Sequence, residues 1–153
     1  MLLINLQDLE KPMKPPEELL SAAIYARQKA YVPYSGFKVG AALRGSAGEI
    51  FSGCNVENAS YGLTLCAERT TVCTAVAAGV QTFTQMVIVA DSETPCPPCG
   101  ACRQFLFEFA PNLELWVANL SGETKFHRLC DLLPEAFGAA FIQLPKPKAS
   151  ELF

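Results

Sequence analysis

Two short segments hold residues that could do chemistry together: Cys66-Ala67-Glu68-Arg69 and Pro98-Cys99-Gly100-Ala101-Cys102. A Cys-x-x-Cys pair with a further cysteine well upstream offers three thiolates. Zinc favours four tetrahedral ligands, and catalytic zinc sites keep three protein ligands and leave the fourth position to water. Three cysteines without a fourth partner are therefore the pattern of a catalytic site more than of a structural one. Glu68 is then free to act as a proton shuttle, since a carboxyl beside such a site can take a proton from water and pass it to a leaving amine. Metal, water and carboxylate are the minimum set for hydrolytic removal of an amino group from a heterocycle.

The elements that must position these residues can be read from periodicity. The Ala-rich stretch from Cys66 to Ala78 reads as a helix stopped at Gly79, and Gly100 to Ala110 as a second helix stopped by Pro111. Cys66 thus starts one helix, and Cys99 and Cys102 lie at the start of the other. Helix N-termini carry unpaired N–H groups and partial positive charge, which favour thiolate over thiol. Three thiolates exceed the charge of a zinc ion by one. Arg69, three residues after Cys66 on the same helical face, is assigned to balance that charge. A rival pairing of Cys96 with Cys99 is rejected because Pro97 and Pro98 hold the backbone between them extended.

Around these helices, Glu17 to Ala30 reads as a helix with an apolar face of Leu19, Leu20, Ala23 and Ile24. Phe37, Val39, Ala41 and Leu43 alternate as a strand, and Ile50 to Cys54 returns after a turn. Met86 to Ala90 is a short apolar strand of the buried kind. Leu113 to Val117 and Thr124 to Arg128 are two more strands, and Leu129 to Leu133 a short last helix. The order α-β-β-α-β-α-β-β-α implies a layered α/β sheet covered on both faces. Residues 1–16, with three prolines and little periodicity, read as an N-terminal arm, and 17–153 as one domain.

Composition narrows the function. The chain of 153 residues has 12 Lys and Arg against 15 Asp and Glu, a net charge of -3. Nucleic-acid binding calls for a basic face that displaces counterions, and only Lys146 and Lys148 make a weak basic pair. A free small molecule is the expected substrate, with no nucleic-acid partner. The N-terminus is a poor signal peptide, and no apolar run is long enough to span a membrane. Seven cysteines without a secretory signal suggest a reducing, cytoplasmic setting without disulfides. Cys54, Cys73 and Cys130 are read as buried small hydrophobes, and Cys96 either as an inert loop thiol or as an oxidation-prone one. His127, in a strand after Phe126, is given a structural role.

The zinc segments match a pattern known for zinc deaminases, H-x-E…P-C-x-x-C, in its three-cysteine form. More of the chain agrees. Tyr31-Val32-Pro33-Tyr34-Ser35-Gly36-Phe37 and the strand to Leu43, the run Gly53-Cys54-Asn55-Val56-Glu57-Asn58-Ala59, and Leu132-Leu133-Pro134-Glu135-Ala136-Phe137 together resemble the small homotetrameric cytidine deaminases. The resemblance runs from about residue 17 to 138. It implies a three-layer α-β-α sandwich around a five-stranded mixed sheet, one zinc ion per chain on Cys66, Cys99 and Cys102, and proton shuttling by Glu68. It further implies that the Ala67 carbonyl accepts from the substrate amino group, that Phe37 stacks on the pyrimidine, and that Asn55 and Glu57 bind the ribose hydroxyls. Ala59, Ser60 and Tyr61 would approach a neighbouring subunit's site, and Phe137 would cross an interface to cover the base. By spacing alone, Phe37 and Phe137 are ordinary apolar residues. Ser60 departs from the alanine common at that position.

The implied reaction is hydrolytic deamination of cytidine and deoxycytidine to the uridine forms, within pyrimidine salvage. A modified cytosine nucleoside such as blasticidin S is the alternative substrate, although Asn55-Val56-Glu57 suits a plain ribose. Editing of RNA or DNA fits the acidic balance poorly. A non-catalytic zinc or thiol module would have no need of Glu68.

Overall fold

The computed structural model describes residues 14–142. The arm expected over residues 1–16 therefore lies mostly outside the described residues, as do 143–153 of the expected domain.

Helix α1 spans Glu17–Gln28, strand β1 Val39–Gly45 and strand β2 Ile50–Cys54. Helix α2 (Ala67–Ala77), strand β3 (Phe83–Ala90) and helix α3 (Gly100–Phe109) follow, then β4 (Glu114–Asn119), β5 (Thr124–Arg128) and a short α4 (Leu129–Leu132). The strands form one five-stranded sheet in the order β2-β1-β3-β4-β5. Only the β3–β4 pair is parallel; the other pairs are antiparallel. The sheet is therefore mixed, and the parallel pair is joined by the helical crossover that such a pair requires.

Both faces of the sheet are covered. On one, Ala41, Leu43, Met86, Ile88, Leu115 and Val117 meet Val72 and Ala75 of α2 and Leu106 of α3. On the other, Ala42, Val87, Val89, Trp116 and Ala118 pack with Leu19 and Ala23 of α1. Alternate residues of a strand point to opposite faces, so a strand covered on both sides must be apolar throughout. The last five residues of β3 are all buried for this reason. Two glycines let the helices come close. A Cβ on Gly40 would lie 2.1 Å from the Ala23 carbonyl oxygen of α1. One on Gly53 would lie 2.7 Å from the backbone nitrogen of Thr71 in α2.

Several expectations are corrected. β1 starts at Val39, because Phe37 still belongs to the turn, its N–H held by the Ser35 hydroxyl at 2.9 Å. β3 starts earlier than Met86, since Phe83 and Gln85 already pair with Gly45 and Arg44 of β1. The buried face of α1 is Leu19, Ala23 and Ala26, while Ile24 turns outward. The three cysteines read as buried are not: Cys73 is exposed on the outer side of α2, and Cys54 and Cys130 are only half-buried. All seven cysteines are free. No helix among the described residues is long and apolar enough to cross a membrane.

Candidate active site

The chemistry gathers at one end of the sheet. Here β1 begins and β3 ends, with Val39 opposite Ala90, and β2 ends, with Gly40 opposite Cys54. Loops leaving β2 and β3 lead into α2 and α3, whose N-termini meet at this end. Ligands in open α/β sheets bind in this kind of position, outside the carboxyl ends of strands.

Cys66 is the N-cap of α2 and Cys99 the N-cap of α3, both in extended backbone conformation. Cys102 lies in the first turn of α3 and is fully buried. The three sulfurs lie within 4.8 Å of one another, with Cys66 and Cys99 3.9 Å apart. Zn–S bonds of ~2.3 Å in a tetrahedron put sulfurs about 3.8 Å apart, so the cluster has the dimensions of a zinc site. Its charge fits too. Hydrogen bonding from the Cys102 thiol, followed by Arg69 and Cys99, pulls the Cys66 thiol down to about 5 against the opposing effect of burial. The Cys102 thiol is raised in return, chiefly because Cys66 takes its hydrogen bond. A cation that replaces the shared proton satisfies the same crowding of negative charge.

Arg69 sits against this cluster. Its Nη2 donates to the Thr64 carbonyl at 2.8 Å and approaches Cys66 Sγ at 3.9 Å. Its Nε is buried with no acceptor among the described residues. A guanidinium held in this way sets a fixed positive charge beside the sulfurs, where the excess negative charge falls.

Cys66, Cys99, Glu68, Ala67, Asn55 and Phe37 line a cavity of about 200 Å³. Glu68 is 5% exposed. Burial pushes its carboxyl up to about 7, with the Cys66 charge adding to the rise; its own amide, Cys102 and Arg69 oppose it. A carboxyl poised near neutrality can both take and give a proton. Phe37, at 39% exposure, presents its ring to the cavity instead of to the core.

The sequence-based role of Ala67 is corrected here. Its carbonyl accepts the hydroxyls of Thr70 at 2.8 Å and Thr71 at 2.7 Å, inside the helix. At the first helical position its N–H has no intrahelical partner, so Ala67 offers the cavity a donor and not an acceptor.

Asn55 is buried and spans the start of β1. Its Oδ1 accepts the Val39 N–H at 2.9 Å, and its Nδ2 donates to the Phe37 carbonyl at 2.8 Å. It keeps one N–H and one lone pair for a ligand. Glu57 lies in an adjoining cavity of about 330 Å³ with Tyr34, Ser35 and Tyr61, and Thr64 lines both cavities. Ala59 and Ser60 are exposed on the loop after Glu57. Tyr61 is 74% exposed and leans on Tyr34 with ring centroids 5.7 Å apart.

Phe137 is not brought to this cavity. It stacks on Phe141 at 5.9 Å beside Phe107, and its carbonyl accepts from Gln104 Nε2 at 2.7 Å. Conversely, Val39, Thr64, Leu65, Ile88, Cys96 and Pro97 line the cavity although sequence reasoning gave them no part in it. Cys96 stays out of the sulfur cluster and is half-buried in the cavity wall. The proximity of Cys96 and Pro97 to Cys99, and of Thr64 to Cys66, was the available signal.

An α-β-α sandwich with three sulfurs and a buried carboxyl at the N-termini of two helices is the architecture of a zinc-dependent hydrolytic enzyme. Residues 13–116 match the family described as the cytidine and deoxycytidylate deaminase zinc-binding region. The chain is 47% identical over 122 residues to a cytidine deaminase of Sporosarcina psychrophila, covering 79% of this chain and 90% of that one. Identity to the cytidine deaminase of Halalkalibacterium halodurans is 48% over 122 residues, covering 79% and 92%. The crystal structure of cytidine deaminase from Burkholderia pseudomallei superposes with a TM-score of 0.78 at 49% identity, over 81% of this chain and all of that one. The chain belongs to the cytidine and deoxycytidylate deaminase family.

Proposed function

We propose that the protein hydrolyses cytidine and deoxycytidine to uridine and deoxyuridine, releasing ammonia, as a step of pyrimidine salvage. The observation that carries this reading is Glu68, buried in the cavity wall beside the three-sulfur cluster. Cys66, Cys99 and Cys102 hold zinc, and Arg69 offsets the third thiolate. When bound, zinc supplies a Lewis acid that lowers the pKa of water. Glu68 receives the proton that water gives up as the oxygen bonds to the ring carbon bearing the amino group. It passes that proton to the ring nitrogen, then takes the proton of the newly added hydroxyl and delivers it to the amine as the C–N bond breaks and the C=O forms. The balance is water plus cytidine giving uridine plus ammonia.

Phe37 stacks on the pyrimidine, the Ala67 N–H donates to a base acceptor, and Asn55 and Glu57 take the sugar hydroxyls. Enclosure of the base strengthens these polar contacts by keeping water away. The chain on its own leaves that enclosure unfinished. Tyr61, Leu63, Phe137 and Phe141 are 58–74% exposed, more large apolar surface than a lone subunit usually shows. This supports a homotetramer in which Ala59, Ser60 and Tyr61 approach a neighbour's site and Phe137 covers its base. Free thiols on the surface suit a reducing cytoplasm.

The test follows the ultraviolet absorbance of cytidine with the zinc-loaded protein, using Glu68→Gln as control. Wild type removes the cytidine band, and the variant keeps its zinc but turns over about 10³-fold more slowly. No change with wild type carrying one zinc per chain would reject the reading. Light scattering tests the tetramer, and an active monomer would reject the role given to Phe137.

A further inference from the structure

The sugar-side cavity contains a hydrogen-bond chain that the proposed reaction does not yet use. Glu57 Oε2 accepts the N–H groups of Tyr34 at 2.9 Å and Ser35 at 3.2 Å. Glu57 Oε1 is bonded to the Ser35 hydroxyl. That hydroxyl also receives the Phe37 N–H at 2.9 Å. A serine hydroxyl has one proton to give. With the Phe37 N–H donating to it and an acceptor-only carboxylate on its other side, the proton must point at Glu57.

The bookkeeping of lone pairs then decides what Glu57 can do. A carboxylate has about four acceptor positions, two on each oxygen. Both positions of Oε2 are filled by backbone N–H groups, and one of Oε1 by Ser35. One position remains, on Oε1 of a residue that lines the cavity with Tyr34, Tyr61 and Thr64. Three donors also fix the plane of the carboxylate on a residue that is otherwise partly open to solvent. An unpinned glutamate there would have to lose rotamer freedom each time it bound a hydroxyl.

We propose that Ser35 is the positioning residue for sugar recognition: its hydroxyl locks the Glu57 carboxylate so that one acceptor position faces one hydroxyl of the nucleoside. The inference rests on the reading above that Glu57 holds the sugar. The Phe37 N–H serves as the anchor that orients the serine proton. Base stacking and sugar binding are therefore set by one turn, Tyr34 to Phe37.

The experiment compares cytidine with 2′,3′-dideoxycytidine, which lacks the 2′ and 3′ hydroxyls of the sugar ring and keeps the 5′ hydroxyl, under single-turnover conditions for the poorer substrate. Ser35→Ala lowers kcat/KM for cytidine about tenfold, as expected for a lost hydrogen bond to a charged group. The loss lies in KM, and the penalty on dideoxycytidine is at most about a third of it. In a Glu57→Gln background Ser35→Ala costs clearly less, because the two act as one unit. Ser35→Thr, which keeps the hydroxyl, restores most of the cytidine activity. If Ser35→Ala yields no folded protein, Ser35→Cys is read in the same way. Equal penalties of Ser35→Ala on both substrates, with Glu57→Gln still selective against cytidine, would overturn the role of Ser35 alone. Equal penalties of Glu57→Gln on both substrates would overturn the sugar role of Glu57, and with it this proposal.

Discussion

The zinc end of the site and the end proposed to take the sugar, here the sugar end, are built in opposite ways. At the zinc end, Cys102 is fully buried and Glu68 nearly so, and Arg69 is tied to the Thr64 carbonyl. Every residue needed comes from two helix starts within one chain. At the sugar end, Ser35, Ala59, Ser60 and Tyr61 are exposed, and order comes from hydrogen bonds to Glu57 and Asn55 instead of from packing. Chemistry that moves protons benefits from a dry, prebuilt site. On the proposed reading this end admits a nucleoside and meets a neighbour, and such a surface cannot be sealed in advance. The first end should therefore fail within a chain, and the second between chains.

The sharpest break falls on the zinc end. Cys102→Ser removes a buried thiolate ligand, and we expect zinc content well below one per chain with activity down at least about 10³-fold. Metal analysis after dialysis, alongside the absorbance assay, reads both. Full zinc occupancy in this variant would show that Cys102 is not a ligand.

Arg69→Gln leaves all three sulfurs in place and removes their fixed counter-charge. Zinc affinity should fall about 10–100-fold, as for other residues that support a metal from behind its ligands. Competition with a chromogenic chelator measures it. Unchanged affinity would mean that the helix N-termini alone stabilise the thiolates.

Phe137 tests whether the second end is shared. Phe137→Ala should raise KM about tenfold while zinc content stays constant, in line with loss of a buried aromatic contact at an interface. Glu68→Gln and Phe137→Ala chains refolded together should then regain activity. Random assembly gives about a quarter of the sites both native residues when they come from different chains in a symmetric oligomer. If Phe137 acts within its own chain, no site regains both and the mixture stays as poor as its parts.

The same contrast explains what was legible in the sequence. Cys66, Cys99 and Cys102 announce themselves because metal ligation demands particular residue types at helix starts, and sequence spacing records that. The order of strands and helices was legible from apolar periodicity, since both faces of the sheet are buried. Direction and occupancy of polar groups were not. Nothing in the residue type of Ala67 says that Thr70 and Thr71 take its carbonyl. Nothing in Asn55 says that half of its amide's hydrogen-bonding positions are spent on the backbone of Phe37 and Val39. Cys73 was misread for a related reason: an apolar residue in an Ala-rich helix looks buried until the packed face is known. Phe137 lies away from the cavity in its own chain, which a motif cannot reveal.

The smallest effect concerns the charge of Glu57. The Ser35 hydroxyl above all, helped by the Tyr34 and Ser35 amides and opposed by desolvation, holds its carboxyl below the usual range. A depressed carboxyl keeps its charge as pH falls below the ordinary glutamate value of ~4.3. Its contribution to folding is therefore present above that value and is lost only as pH drops through the lower, folded one. A carbon-detected NMR titration of Glu57 should give a midpoint under ~4.3 in the wild type. Ser35→Ala should move it upward toward that value, because the largest cause of the depression is gone. A midpoint that ignores Ser35 would mean that the two backbone amides hold Glu57 unaided. The sugar end would then be preset by main-chain geometry, as the zinc end is by its helix starts, and the contrast between them would narrow.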